Sequence, residues 1–326
     1  MIRGRIISTG SYVPEHVITN QDIERIVETS DDWIIERTGI RERRVVNGSQ
    51  TASDLACEAA VLALKRAHLK PKDLDLIIVA TVSGDMPFPS TACILQSKLG
   101  AKNAACFDLN AACSGFLYGL HVANGLIKAG MHKKVLLVGT ETLSKFTDWQ
   151  DRSTCVLFGD GAGAVILEPT TEKRGILSTQ ISSDGDLGDL ICLPGGGSSH
   201  PASPDSILKK MHFIKMKGNE TFKVAVRTLE ELAIKTLKDN DLDPSQLSLM
   251  IPHQANIRII QATAKRLALP MEKVFVNIEK YGNTSAASVP IALDEALRTD
   301  QIKSGDHLLL EAFGGGLTWA SSLIRW

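Results

Sequence analysis

The sequence predicts an α/β fold built of two similar halves, each a sheet flanked by helices. Helix-period segments alternate along the chain with short, continuous β-branched runs. Three ordered segments recur at nearly one offset. The 326 residues, 44% hydrophobic and 22% charged, exceed one simple domain and can bury a large core.

The repeat is read residue by residue. "LKPKDLDLIIVAT" (69–81) lies over "LDPSQLSLMIPHQ" (242–254) at an offset of 173, with Pro71 on Pro244 and Leu76 on Leu249. Upstream, Ala60 meets Ala233 and Leu64 meets Leu237 at the same offset. Downstream, "IKAGMHKKVLLVG" (127–139) lies over "IKSGDHLLLEAFG" (302–314) at 175, matching Gly130 to Gly305 and Gly139 to Gly314. The halves are expected at 1–172 and 173–326, meeting in "EPTTEKRG" (168–175).

Taken in order, "TASDLACEAAVLALKRAHL" (51–69) has helical apolar spacing with Asp54 in its first turn. "LDLIIVAT" (74–81) reads as a strand covered on both faces. "CSGFLYGLHVANGLIKAG" (113–130) is a helix apolar on nearly every side, hence internal, and Gly130 closes it. "KKVLLVGTE" (133–141) and "GAGAVILEP" (161–169) are further strands. In the second half a strand ends at Ile251 with Pro252 stopping its ladder, a helix follows over 255–269, another opens after "YGNTSAAS", and "ASSLIRW" (320–326) closes the sheet.

A net charge of −1 and a pI of about 6.7 argue against nucleic acid or an anionic membrane as a partner. The N-terminus lacks a long apolar signal region, and the longest apolar runs are far too short to span a bilayer, so a cytoplasmic protein is expected. The six cysteines, at 57, 93, 106, 113, 155 and 192, show neither CxxC nor zinc-finger spacing, and no structural metal is expected.

Cys113 stands where a strand-like run gives way to the internal helix. A packed core cysteine is the first reading. The second is a nucleophile, with its pKa lowered by the helix N-terminus and with Ala111, Ala112, Ser114 and Gly115 leaving room for a substrate. His253 sits at a strand-to-helix turn, where α/β folds meet ligands, although a lone turn histidine is commonly surface decoration. Asn283, in "YGNTSAAS", occupies the second-half counterpart of "NAACSGF", and its amide could equally cap a turn. "FGDGAGA" (158–164) has GxGxG rather than GxGxxG spacing and no following helix. The triple glycine of "EAFGGGLTW" (311–319) follows a strand and could turn backbone N–H groups toward a ligand. Together, these residues occupy equivalent ends of two repeated halves.

Six segments then carry a resemblance: "DWIIERTGIRERR" (32–44), "AACSGF" (111–116), "FGDGAGA" (158–164), "PHQANIRII" (252–260), "GNTSAASVP" (282–290) and "EAFGGGLTW" (311–319). In this order the chain resembles the β-ketoacyl-acyl carrier protein synthase III family of the thiolase superfamily. The resemblance implies a thiolase-like five-layered αβαβα sandwich of two duplicated halves. It implies that Cys113 takes an acyl group from coenzyme A, which is a substrate, so that no cofactor is needed. It implies that His253 and Asn283 hold the thioester carbonyl of malonyl-acyl carrier protein during decarboxylation. The N–H groups of Cys113 and Gly315 would form the oxyanion hole. Asn283, rather than a second histidine, argues against the chain-elongating branch.

The same resemblance implies that Trp33, Arg37, Thr38 and Arg152 hold the coenzyme A nucleotide, that Gly218 and Asn256 line the pantetheine path, and that Phe313 is among the residues binding substrate or coenzyme A. Phe88, in "GDMPFPSTA" (84–92), would end the partner's acyl pocket in a homodimer and favour a short straight acyl group. Arg258, Lys265, Arg266 and Lys223 would face an acidic carrier protein; an ordinary solvated helix face explains them as well. The glycine- and serine-rich loop 192–207 departs from the family pattern and leaves primer length open. Alternatives kept open are a related acyltransferase or secondary-metabolite condensing enzyme, and a non-catalytic acyl-coenzyme A or carrier-protein binding module.

Overall fold

The computed structural model describes residues 2–326. Its longer elements are β1 (Arg3–Tyr12), α1 (Asp31–Thr38), α2 (Ala52–Arg66), β2 (Leu76–Ala80), α3 (Thr91–Leu99), β3 (Ala105–Leu109), α4 (Gly115–Lys128), β4 (Val135–Thr142) and β5 (Asp160–Thr170). They continue with β6 (Gly175–Ser183), α5 (Gly218–Lys238), β7 (Leu249–Pro252), α6 (Ile257–Arg266), α7 (Ser288–Arg298), β8 (His307–Gly314) and β9 (Thr318–Arg325). The strands form two mixed sheets, ordered β1-β5-β4-β2-β3 and β7-β8-β9-β6. In the first, β2 runs parallel to β3 and β4; in the second, β7 runs parallel to β8.

Burial explains the continuous apolar strands. Leu76 and Ile78 face a central core, whereas Ile77 and Val79 face an outer layer under α2 and α3. The central core joins both sheets through α4 and α7, which contribute Phe116, Leu117, Leu120, Val289 and Leu293. On the far side α5 and α6 cover Met250, Leu309 and Leu323. The layers are therefore α, β, α, β, α.

The repeat is sharpest where the central helices begin. Each is preceded by a 3₁₀ turn, Ala112–Ser114 before α4 and Ser285–Ala287 before α7. Ala112 and Ser285, which are 173 apart, both adopt left-handed backbone, with φ of 45° and 48°. A non-glycine residue there costs about 1–2 kcal/mol, which the surrounding packing must offset. The helix expected over 113–130 thus starts as a 3₁₀ turn and becomes α at Gly115. The strand expected to stop at Ile251 includes Pro252, paired with Glu311, because an edge position needs no donor from proline.

Two glycines let the halves interlock. A Cβ on Gly139 would lie 2.2 Å from the Ala286 carbonyl oxygen, and one on Gly314 would lie 2.6 Å from the Cys113 nitrogen. Gly139→Ala is therefore expected to lower stability by about 1–3 kcal/mol in urea unfolding. Gly125→Ala, in an exposed part of α4 with nothing within 4 Å of the new Cβ, should raise it by about 0.5–1 kcal/mol. Equal effects at the two sites would refute the interlock.

Candidate active site

Cys113 lies in the 3₁₀ turn before α4, and both flanks of that turn are tied to β9. Thr318 Oγ1 donates to the Ala111 carbonyl at 2.8 Å, and Ser114 Oγ donates to the Thr318 carbonyl at 3.0 Å. Gly314 presses on the Cys113 backbone from the other sheet, and the residue as a whole is part-exposed while its thiol is desolvated. Burial pushes this thiol up to about 11, opposed by the Ser285 side chain and reinforced by the charge of Glu141. The sequence suggested a thiol lowered by the helix N-terminus; the desolvated surroundings reverse the direction, and the resting group is a thiol.

His253 leaves the end of β7. Its N–H donates to the Glu311 carbonyl at 2.7 Å, which carries the β7–β8 pairing one residue past the strand. The next residue, Gln254, fixes the turn by accepting from the Asn277 N–H at 3.0 Å and donating to the Pro252 and Phe275 carbonyls at 2.8 and 3.1 Å. Its own N–H donates to Ser288 Oγ at 2.8 Å, docking the turn on the start of α7. The imidazole is only 5% exposed, and neither ring nitrogen has a protein partner. Burial pushes its pKa down to about 3, so the ring is neutral and carries one N–H to donate.

Asn283 is held by backbone on both sides. Its N–H donates to the Leu157 carbonyl at 2.9 Å, and its carbonyl accepts from the Gly159 N–H at 3.0 Å. Its side-chain Oδ1 accepts from the Ser285 N–H at 2.9 Å, which turns Nδ2 away as a free donor. "FGDGAGA" supplies this support. A Cβ on Gly159 would lie 2.2 Å from the Tyr281 carbonyl, and Asp160 accepts from the Val46 and Ser144 N–H groups at 2.7 and 2.8 Å. The segment is a clamp for Asn283 and no phosphate loop.

The turn before α7 packs on the turn that holds Cys113, with Ser285 at the thiol, and Gln254 docks the His253 turn on the start of α7. Glu141 and Ser285, which sequence reasoning passed over, complete the setting. Glu141 is fully buried on β4, accepts from Ser83 Oγ at 2.5 Å and from the Val82 N–H at 3.2 Å, and is pushed by burial up to about 7. The only sequence signal for it is a charged residue ending an otherwise apolar strand. Among the described residues, no group of three or more His, Cys, Asp and Glu side chains could hold a metal ion.

The nucleotide residues fall into two groups. Trp33 on α1 carries the Arg37 and Arg152 guanidiniums over its ring, at 5.7 and 5.1 Å from the centroid. Asn256 caps α6 and donates through Nδ2 to the Arg37 carbonyl at 2.9 Å, joining the two helices. Thr38 stands apart: it is buried, its hydroxyl donates to the Ile34 carbonyl at 2.7 Å and accepts from the Ile40 N–H at 3.0 Å, so it closes α1. Phe313 is 6% exposed and packs with Leu190, Leu229 and Leu317, as a wall residue. Gly218 opens α5 on the surface, where a Cβ would meet only the Met216 side chain, at 3.7 Å. Gly315 follows β8, its would-be Cβ 3.0 Å from the Ile191 carbonyl.

Phe88 is 85% exposed and belongs to no core cluster of its own chain. Arg258 lies over the Phe222 ring at 5.2 Å, which brings it from α6 beside Lys223 on α5. Lys265 is exposed about 10 Å along α6, whereas Arg266 pairs with Glu230 at 3.3 Å. Lys209, Lys210 and Lys217 are neutralised by Asp205, Asp148 and Asp189, which trims the basic excess of 205–227.

Glu311 gives a pH test. Both carboxylate oxygens are buried without partners, and burial pushes the group up to about 8 from an ordinary 4.5. Between those values the unfolded chain releases a proton that the folded chain keeps, so stability falls as pH rises. In urea unfolding at pH 5, 7 and 9, the advantage of Glu311→Gln over the natural chain should grow with pH. Parallel profiles would refute the assignment.

Residues 107–185 match the family described as 3-Oxoacyl-[acyl-carrier-protein (ACP)] synthase III, and residues 237–326 match its C-terminal family. The chain is 54% identical over 325 residues to the Beta-ketoacyl-[acyl-carrier-protein] synthase III of Caldanaerobacter subterraneus subsp. tengcongensis, covering 100% of this chain and 98% of the relative. It is 51% identical over 329 residues to that of Natranaerobius thermophilus, covering 100% of both. The crystal structure of 3-oxoacyl-[acyl-carrier-protein] synthase III from Aquifex aeolicus VF5 superposes with a TM-score of 0.92 at 50% identity, over 99% of this chain and 100% of that one. With the identity spread over the full length and the fold shared throughout, the chain belongs to the β-ketoacyl-[acyl-carrier-protein] synthase III family.

Proposed function

We propose that this protein is an acyltransferase that initiates fatty-acid synthesis, condensing a short acyl group from acyl-coenzyme A with malonyl-acyl carrier protein and releasing carbon dioxide. The observation that supports the reading is a pair of uncharged donors, the buried His253 ring and Asn283 Nδ2, carried on turns that pack around the start of α7 next to the turn of Cys113.

In the first half-reaction the Cys113 sulfur attacks the acyl thioester carbon, the bond to coenzyme A sulfur breaks, and the thiol proton leaves with coenzyme A. In the second, the malonyl carboxylate leaves as carbon dioxide, and its electron pair moves into the thioester as an enolate. His253 and Asn283 donate to that enolate oxygen. A neutral imidazole suits this task, because it stays a donor over the whole working pH range without protonating the carbanion. The carbanion carbon then attacks the Cys113 thioester carbon, the carbon–sulfur bond breaks, and the thiolate recovers a proton from solvent. The N–H groups of Cys113 and Gly315 would receive the oxyanion at each tetrahedral stage, worth roughly 3–4 kcal/mol per donor.

Trp33 with Arg152 would stack the adenine, and Arg37 would pair with phosphate. Arg258, Lys223 and Lys265 form the face for the acidic carrier. The exposed Phe88, Met86 and Val82, at 85%, 49% and 42%, support a homodimer in which Phe88 shortens the partner's pocket toward acetyl-sized groups. Six free cysteines are in keeping with a cytoplasmic setting. No helix among the described residues is long and apolar enough to cross a membrane.

The two half-reactions separate the residues. Cys113→Ser should abolish the mass adduct formed with acetyl-coenzyme A, whereas His253→Ala should keep the adduct and lose roughly 10²–10³ in labelled bicarbonate release from malonyl-acyl carrier protein. An adduct on the serine variant, or full decarboxylation without His253, would overturn these roles. Adduct formation without any bicarbonate release by the natural chain would instead favour a plain acyltransferase. A further expectation is that Trp33→Ala raises KM for acetyl-coenzyme A while leaving kcat nearly unchanged.

A further inference from the structure

Two cysteines with no part in this chemistry meet on the outer face of the first sheet. Cys93 lies on α3 and Cys106 on β3, the edge strand. The helix is fastened to the strand at two points. At its start the Thr91 and Ala92 N–H groups donate to the Asp108 carboxylate at 2.6 and 2.7 Å. One turn on, Gln96 Nε2 donates to the Ala104 carbonyl at 2.8 Å. Cys93 follows the first fastening directly and shares a helix face with Gln96, three residues on.

Cys106 is midway between Ala104 and Asp108, and alternate strand residues share a face. Its Sγ lies 3.5 Å from the same Ala104 oxygen that accepts from Gln96. The two cysteines therefore lie along one helix–strand seam, bracketed by hydrogen bonds on either side. Burial pushes the Cys106 thiol up to about 11, and the neighbouring Cys93 sulfur adds to the shift through its charge and a hydrogen bond. Cys93 is exposed and Cys106 part-exposed, so a small oxidant reaches them.

We propose that Cys93 and Cys106 form a reversible intrachain disulfide, a redox-modification site separate from the nucleophile. With a peroxide as oxidant, the Cys93 sulfur attacks one peroxide oxygen, the O–O bond breaks, and a sulfenic acid and one water result. The Cys106 sulfur then displaces the sulfenic oxygen as a second water. Two thiols are oxidised to one disulfide, and the peroxide is reduced to two waters. A dithiol returns the pair by exchange. The bond pins the helix that follows the Phe88 loop to the strand that runs into Cys113, seven residues beyond Cys106.

The test uses the full chain, reduced, exposed to hydrogen peroxide, and then alkylated under denaturing conditions. A monomer that lacks two alkyl groups relative to the reduced chain should appear, should yield a linked peptide pair holding Cys93 and Cys106, and should revert with dithiothreitol. Cys93→Ser and Cys106→Ser should each cut that linked pair at least about ten-fold, and Cys113→Ser should leave it unchanged. Both serine variants lie at part-exposed positions; unchanged thermal unfolding of each would show that loss of the link is not loss of fold. Separate overoxidation of Cys93 and Cys106, linkage to Cys57 instead, or linkage only between chains would overturn the proposal.

Discussion

The reciprocal contact between each sheet and the opposite half's central helix governs this structure. Gly139 of the first sheet receives the carbonyl of Ala286, and Gly314 of the second receives the backbone of Cys113. Because neither glycine has a side chain, the two 3₁₀ turns approach the sheets at backbone distance. That approach holds Ala112 and Ser285 in left-handed backbone, at a cost the interlocked core offsets. It also brings residues from both halves within reach of one thiol. A larger residue at either glycine would push apart the layers that define the site.

Around that contact, the protein keeps charge out and leaves polar groups open. His253 is neutral because burial opposes its charge. Asn283 has its acceptor satisfied and its donor free. A buried donor without a partner is unfavourable in the resting protein, and that unmet need is what an enolate oxygen would relieve. Glu141, by contrast, is surrounded by donors from Ser83, Thr81 and Val82, so its charge is compensated locally although it lies near Cys113. The proposed binding surfaces follow a different logic. Trp33 with its two arginines, and Arg258 with Lys223, are part-exposed or exposed, where long side chains can rearrange around a ligand.

Much of this was legible in residue order, and the limits are instructive. The double repeat located both central helices because Pro71 with Pro244 and Gly130 with Gly305 mark equivalent turns. "NAACSGF" and "NTSAAS" were recognisable as equivalent helix starts. Thr38 was read as a ligand contact because it sits in the same motif as Arg37, yet its hydroxyl is spent closing α1. Phe313 sits in the motif of the triple glycine and packs with Leu190, Leu229 and Leu317. A motif transmits which residues occur together; it does not say which of them face outward. "FGDGAGA" read as an undecided glycine loop, and its role as a clamp appeared only through contacts with Tyr281, Val46 and Ser144.

The sequence by itself determined the duplicated α/β architecture and the buried strands, because periodicity, turn residues and a repeated pattern are local properties of the chain. Tertiary structure alone decided the protonation of the site. The helix N-terminus argued for a lowered Cys113 pKa, whereas desolvation by layers distant in sequence raises it and lowers that of His253. Burial is the sum of contacts from segments more than a hundred residues apart, so no local pattern could report it. The shared seam of Cys93 and Cys106 was hidden for a related reason: thirteen residues apart, they come onto it only because a helix is hydrogen-bonded across a strand edge.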